Sequence, residues 1–196
     1  MKIMKTNVSP VIIIAAGSFS GKSIIANHLA NKYCFSGVLC TDMVRNFFYV
    51  TTKNESIFST STYKMSVVAL NEQKEIVSQT IAGIIEIYRK RGENIIIEGM
   101  HFSESFLSSL SDKDYLLIGL DNKLSVKEKV LLKRKTTRKG ISDKTEKEEK
   151  RIEEIHNELL NCCKKNNFHI IAFDDIEVAK KECEVLVEDY LKKMKY

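Results

Sequence analysis

The sequence predicts an α/β fold, a five-stranded parallel sheet covered by helices on both faces. Three observations predict it. Short apolar runs rich in β-branched residues recur at 11–16 (VIIIAA), 37–41 (GVLCT), 94–99 (NIIIEG), 114–121 (DYLLIGLD) and 168–173 (FHIIAF). These runs are nearly continuous in apolar residues, as strands buried on both faces require. The segments between them carry the 3.6-residue period of amphipathic helices.

Taken in order, the first run passes through a loop of small residues into IIANHLANKY, and the second opens directly into TDMVRNFF. Val67, Leu70, Val77, Ile81, Ile84, Ile85 and Tyr88 then trace one helical stripe, ended by Gly92. After the third and fourth runs, Ile152, Ile155, Leu159 and Cys162 trace a second stripe, opened by a Thr145 to Glu148 capping box. The last stripe follows the fifth run: Ile176, Ala179, Cys183, Leu186, Tyr190 and Met194. Two segments do not fit the alternation, the hydroxyl-rich 51–66 and the basic 133–144 with Gly140. Both are expected to be long loops of the lid or binding kind. With no repeat and no linker, 196 residues are expected to form one domain.

Composition narrows the classes. A content of 43% hydrophobic and 29% charged residues is ordinary for a soluble chain. No apolar stretch approaches the roughly 18 residues of a membrane span, and MKIMKTNVSPVIII reaches its apolar run too late and too briefly for a signal peptide. The expectation is a cytoplasmic protein with no membrane partner. Five cysteines, an odd number without a CxxC pair, suit free thiols in a reducing compartment better than disulfides or zinc. A formal charge of +5 fits either nucleic acid or small anionic ligands, and its distribution matters more than its size.

The distinctive stretch is AAGSFSGKS, residues 15–23, between the first strand and the first helix. That context marks a P-loop, in which backbone N–H groups and a helix N-terminus cradle phosphates. Ala16, Gly17, Ser18, Phe19, Ser20, Gly21, Lys22, Ser23 and Ile24 are therefore the expected nucleotide-binding residues. Lys22 reaches the β- and γ-phosphates, and the Ser23 hydroxyl coordinates Mg²⁺. The usual first glycine is Ala16 here, a replacement that requires unstrained torsions, with Gly17 beside it supplying flexibility.

Ligands of open parallel sheets sit beyond the carboxyl ends of the strands, so the residues just after each strand carry the chemistry. After the second strand, Asp42 is placed to take the proton of an acceptor hydroxyl, to orient magnesium-bound water, or simply to cap its helix. Arg45, one turn later, is placed to hold an anionic group of the acceptor. Glu98 ends an apolar strand, where a carboxylate is costly unless paired or near metal, and is expected to hold the magnesium shell. His101 is a candidate substrate contact, the alternative being a packed or solvent-facing histidine.

Arg134 and Arg138, in LLKRKTTRKG, are candidates to neutralise the transferring phosphate, the alternative being a solvated basic face or a nucleic-acid contact. No aromatic residue interleaves that cluster and the acidic EKEE follows, which argues against nucleic acid. A guanine-reading NKxD element is missing, since residues 122–125 read NKLS, which disfavours a GTPase switch.

With AGSFSGKS, CTDMVRNFF, STSTY at 59–63, IIIEGMHF, the basic segment and KRIEEIHNELL, the chain resembles the 2-phosphoglycerate kinase-like P-loop kinases. The resemblance covers most of the chain and implies an adenylate kinase-like sheet with a short basic lid. It also implies ATP as donor, and Asp42, Arg45, Ser61, Tyr63, His101, Arg134 and Arg138 facing the acceptor or the transferring phosphate. A small anionic phosphorylated hydroxy acid is the expected acceptor, of the 2-phosphoglycerate or mevalonate 3-phosphate type, the latter belonging to isoprenoid biosynthesis. The alternatives are a nucleotide, sugar or toxin-type kinase of the same fold, or a nucleic-acid-associated ATPase.

Overall fold

Each of the five apolar runs forms a strand in the computed structural model, which describes residues 9–53, 55–58, 61–136 and 142–194. In chain order the elements are β1 (Val11–Ala15), α1 (Lys22–Tyr33), β2 (Gly37–Cys40), α2 (Thr41–Thr52), α3 (Glu55–Phe58), a 3₁₀ turn (Thr62–Lys64), α4 (Val67–Arg91), β3 (Ile95–Gly99), α5 (Glu104–Ser109), β4 (Leu116–Asn122), α6 (Val126–Thr136), α7 (Glu146–Lys165), β5 (His169–Phe173) and α8 (Ile176–Met194). All pairings are parallel, in the order β2-β3-β1-β4-β5. The first strand thus lies at the centre, with Val11 opposite Ile95 on one side and Ile12 opposite Leu116 on the other.

The two-residue period of the strands sorts the core into two layers. Val11, Ile13, Ile95, Ile97 and Leu117 face Leu70, Val77 and Ile81 of α4 and Ile155 and Leu159 of α7. Ile12, Ile14, Ile96, Ile118 and Leu120 face Ile25 and Leu29 of α1 and Ala179, Cys183 and Val187 of α8. Burying one such side chain contributes about 1.5–3 kcal/mol, so these layers dominate the energetics of the fold. Tyr190 of α8 fastens the start of β1, since its hydroxyl accepts from Val11 N–H at 3.1 Å.

The expected helix signals hold. Gly92 closes α4 in the left-handed conformation, and Thr145 and Glu148 form the reciprocal capping box of α7. Both expected loops are shorter than the sequence suggests. Within 51–66, Thr51 and Thr52 still belong to α2, and α3 and the 3₁₀ turn occupy much of the rest. Ile57, Phe58 and Met65 are buried, Phe58 stacks on Phe48 at 5.4 Å, and the Gln73 amide donates to the Ile57 carbonyl. These few buried apolar residues fold a segment that reads as polar. Within 133–144, residues 133–136 complete α6, residues 142–145 lead into α7, and residues 137–141, with Arg138, lie outside the described part. Among the described residues no helix is long and apolar enough to cross a membrane.

Candidate functional site

The loop after β1 turns because its backbone leaves the ordinary regions twice. Phe19 has φ 62° and Gly21 φ 86°, and Gly21 caps the N-terminus of α1. A left-handed phenylalanine costs of order 1 kcal/mol and persists only where the surroundings hold it. Here Phe19 and Tyr63 pack on Val126, Val130 and Ile152, a small cluster that joins the loop to α6 and α7. Ala16 is fully buried, is not among the positive-φ residues, and donates its N–H to the Gly99 carbonyl at 2.9 Å. Alanine therefore occupies the first position of the loop without strain.

Inside the loop, the Gly17 carbonyl accepts from the Ser20 hydroxyl at 2.9 Å and from Lys22 Nζ at 3.4 Å. Ser18 Oγ lies 3.4 Å from Met100 Sδ. Ile24, expected among the cradle residues, has its N–H committed to the Gly21 carbonyl at 2.9 Å and its side chain 47% exposed.

Ser23 Oγ donates to Glu98 Oε1 at 2.8 Å. Glu98 is 1% exposed, and its Oε2 has no hydrogen-bond partner. A buried carboxylate oxygen without a partner costs several kcal/mol. The register of the sheet sets Cys40 beside Glu98, and burial together with the Glu98 charge pushes the Cys40 thiol up to about 11. Among the described residues no three His, Cys, Asp or Glu side chains group around a metal. Mg²⁺ needs no such cage, because it keeps waters and binds through one or two protein oxygens plus phosphate oxygens. The Ser23 hydroxyl and the unpartnered Glu98 oxygen fit that ion.

Next to this pair, α2 enters from β2 and brings Asp42 to the mouth of the site. Its Oδ1 lies 3.4 Å from Arg45 Nε and 3.9 Å from His101 Nδ1. Burial opposes its ionisation, but the fields of His101, Lys22 and Arg45 prevail and hold the carboxyl below its ordinary range. Arg45 Nη1 donates to the Phe58 carbonyl at 2.8 Å, so α3 braces its guanidinium. Gly99 allows the close approach of α2 to the end of β3, since a Cβ there would sit 1.8 Å from Thr41 Oγ1.

His101 departs from its expected place on the substrate surface. Its ring is fully buried, with Nδ1 3.1 Å from Thr41 Oγ1 and Nε2 3.1 Å from Thr62 Oγ1. Burial drives its pKa down to about 4, leaving it neutral. It stands behind Asp42 and ties α2 to the 3₁₀ turn. Ser61 is exposed at the start of that turn. Tyr63 follows, with Lys144 Nζ donating to its hydroxyl at 3.0 Å and lying 5.0 Å from its ring centre. Burial raises the Tyr63 phenol, and Lys144 and Ser61 together more than offset this, so the group lies below its ordinary range. Arg134, on the last turn of α6, donates from Nη2 to Asp143 at 2.7 Å.

The residues from Ala16 to Ser23 thus come together with Asp42, Arg45 and Glu98 at the carboxyl ends of β1, β2 and β3, with Tyr63 joined to them through Phe19. One residue the sequence reading missed, His156 of α7, touches the loop directly, with Gly17 N–H donating to its Nδ1 at 3.3 Å. The available signal was its spacing, four residues after Ile152 on the buried face of α7.

No family model and no curated protein matches the sequence. Among solved structures, the fold is similar to that of shikimate kinase from Acinetobacter baumannii in complex with shikimate, with TM-score 0.57 and 14% identity over 93% of this chain and 96% of that one. It is also similar to thymidylate kinase from Candida albicans, with TM-score 0.52 and 15% identity over 95% and 93% of the two chains. The chain therefore has the fold of the P-loop kinases, a five-stranded parallel sheet of adenylate kinase type with helices on both faces.

Proposed function

We propose that this protein is an ATP-dependent small-molecule kinase that transfers the γ-phosphate to a hydroxyl of a small anionic metabolite bearing phosphate and carboxylate groups. The observation that carries the reading is the Ser23 to Glu98 pair beneath the loop, a hydroxyl and a buried carboxylate with one oxygen unpartnered, set where a nucleotide's Mg²⁺ belongs. When bound, that ion draws charge from the β- and γ-phosphate oxygens. Lys22 neutralises charge on the same oxygens. Asp42, ionised and at the mouth of the site, aligns the acceptor hydroxyl and receives its proton. Arg45, held by Phe58 and Asp42, meets an anionic group of the acceptor, and Ser61 and Tyr63 border it. Positioning and charge stabilisation then supply most of the rate, since phosphoryl transfer asks little covalent work of the protein. The named activities of the two fold neighbours, both kinases of small molecules, support the general class.

Of the acceptor types, 2-phosphoglycerate and mevalonate 3-phosphate combine a free hydroxyl with the anionic groups that Arg45 and the basic side chains around Lys144 favour. The test is incubation with ATP, Mg²⁺ and a panel of phosphorylated hydroxy acids, nucleosides and sugars, with products identified by mass. Lys22→Ala is the control. Loss of a transition-state contact of this kind costs about 3 kcal/mol, so transfer should fall at least about a hundredfold in a protein that still folds. A folded Lys22→Ala protein with near-normal turnover overturns the reading.

A further inference from the structure

A chain of polar contacts that the proposed chemistry does not use ends on the phosphate loop. Lys123 Nζ donates to Asp121 Oδ2 at 2.5 Å, and Asp121 Oδ1 lies 3.5 Å from His156 Nε2. His156 Nδ1 accepts the Gly17 N–H at 3.3 Å, and the Gly17 carbonyl receives Lys22 at 3.4 Å. We infer that His156 is a positioning residue for Lys22, acting through the backbone of Gly17; the inference rests on the nucleotide-site reading above.

The geometry fixes the tautomer. Nδ1 must be the acceptor for a backbone N–H, so the proton of the neutral ring is on Nε2, facing Asp121. Burial, reinforced by the Lys129 charge, holds the ring below its ordinary pKa and keeps that acceptor available. Glycine is the residue least able to fix its own torsions, so the peptide planes on either side of Gly17 have to be held from outside. His156 holds the plane that carries the N–H, and Ser20 and Lys22 hold the plane that carries the carbonyl, so together they fix the turn at Gly17. The second glycine of AAGSFSGKS acquires a reason as well. A Cβ on Gly17 would lie 2.8 Å from His156 Nδ1 and 3.0 Å from His156 Cβ, so the ring and a side chain at 17 exclude one another. The link also makes α7 part of the phosphate site, although no residue of α7 belongs to the P-loop pattern.

Space filling and positioning make opposite forecasts for two conservative variants. Asparagine carries its amide oxygen where Nδ1 stands; glutamine is nearer histidine in volume but carries its oxygen where Nε2 stands. Binding of a non-hydrolysable ATP analogue with Mg²⁺ is measured by calorimetry for the wild type, His156→Asn and His156→Gln, and exchange of the Gly17 amide is followed in the ligand-free proteins. The wild type and His156→Asn should bind within about threefold of each other with a protected Gly17 amide. His156→Gln should bind at least about tenfold more weakly with that amide exchanging freely, a difference of about 1.4 kcal/mol. Gly17→Ala should bind weakly, and adding His156→Gly, which makes room for the new Cβ but removes the acceptor, should not restore wild-type affinity. Glutamine binding as well as asparagine, or wild-type affinity in the double variant, overturns the inference while leaving the nucleotide reading intact. Absence of binding by the wild type removes both.

Discussion

Asp42 and Arg45 lie one helical turn apart, yet they are assigned to different stages of the reaction. In the proposed reaction Arg45 faces an anionic group that is equally charged before and during transfer, so Arg45→Ala should raise the acceptor KM more than the ATP KM. In the same proposed reaction Asp42 acts on a proton that moves only during transfer, so Asp42→Asn should lower kcat with less effect on either KM. Steady-state kinetics with both substrates varied separates the two; changes confined to ATP affinity would assign both residues to the nucleotide. Behind them, the neutral His101 makes a forecast about pH. The unfolded chain protonates this histidine near 6.5, and the folded protein only near 4. Between those values the unfolded state binds more protons, so acid removes stability there, by about 3 kcal/mol in total. The stability difference between wild type and His101→Asn, measured in urea at several pH values, should therefore shrink as pH falls from 7 to 4. His101 was legible in the sequence as a residue after a strand end. Its burial was not, because the threonines that enclose it come from α2 and from the 3₁₀ turn, far apart in the chain.

Among the elements, the strands were the most legible, since apolar β-branched runs, buried on both faces in β1, β3 and β4, have few other readings. The phosphate loop and the caps of α4 and α7 were legible for a related reason, local rules of backbone geometry acting within a few residues. What escaped were elements held by contacts across the chain: α3 through Ile57 and Phe58, and His156 through the close approach of α7 to Gly17. The meeting of α2 with β3 is the most exacting of these approaches. Gly99→Ala would drive a methyl group into Thr41, itself fully buried and bonded to His101. The variant should lose about 2 kcal/mol or more by chemical denaturation, in the range of overpacked core substitutions. Thr41→Gly should restore part of that loss in the double variant, which direct comparison of unfolding midpoints will reveal.

Over the whole molecule, charge is distributed unevenly. Residues 133–151 hold nine basic and four acidic side chains, a net of +5, which equals the formal charge of the entire chain. The remaining residues balance. Lys147 and Lys150 are exposed on the first turns of α7, and Lys150 is about 9 Å along the helix from His156, comparable to a Debye length in physiological salt. Capture of ATP should therefore slow with added salt. Changing Lys147 and Lys150 to glutamine should remove much of that dependence, and the same change at Lys192 and Lys193 should not. Stopped-flow association of a fluorescent ATP analogue at low and high salt checks this, and equal slopes for the two double variants would refute it.

The central place of β1 also orders events in time. Val11 waits for Ile95 and Ile12 for Leu116, and the edge pair joins Ile118 to His169, so no ladder of this sheet closes between neighbouring strands of the chain without a helix between them. On the ribosome, the segment that bears AAGSFSGKS emerges well before β3 and β4, and β1 has nothing to pair with until β3 has been made. Distant pairings of this kind slow folding. The helices can form while the chain is still short, but the loop after β1 takes its shape only when β3 and β4 arrive to flank it, so the ability to hold a phosphate is among the last properties that the newborn molecule acquires.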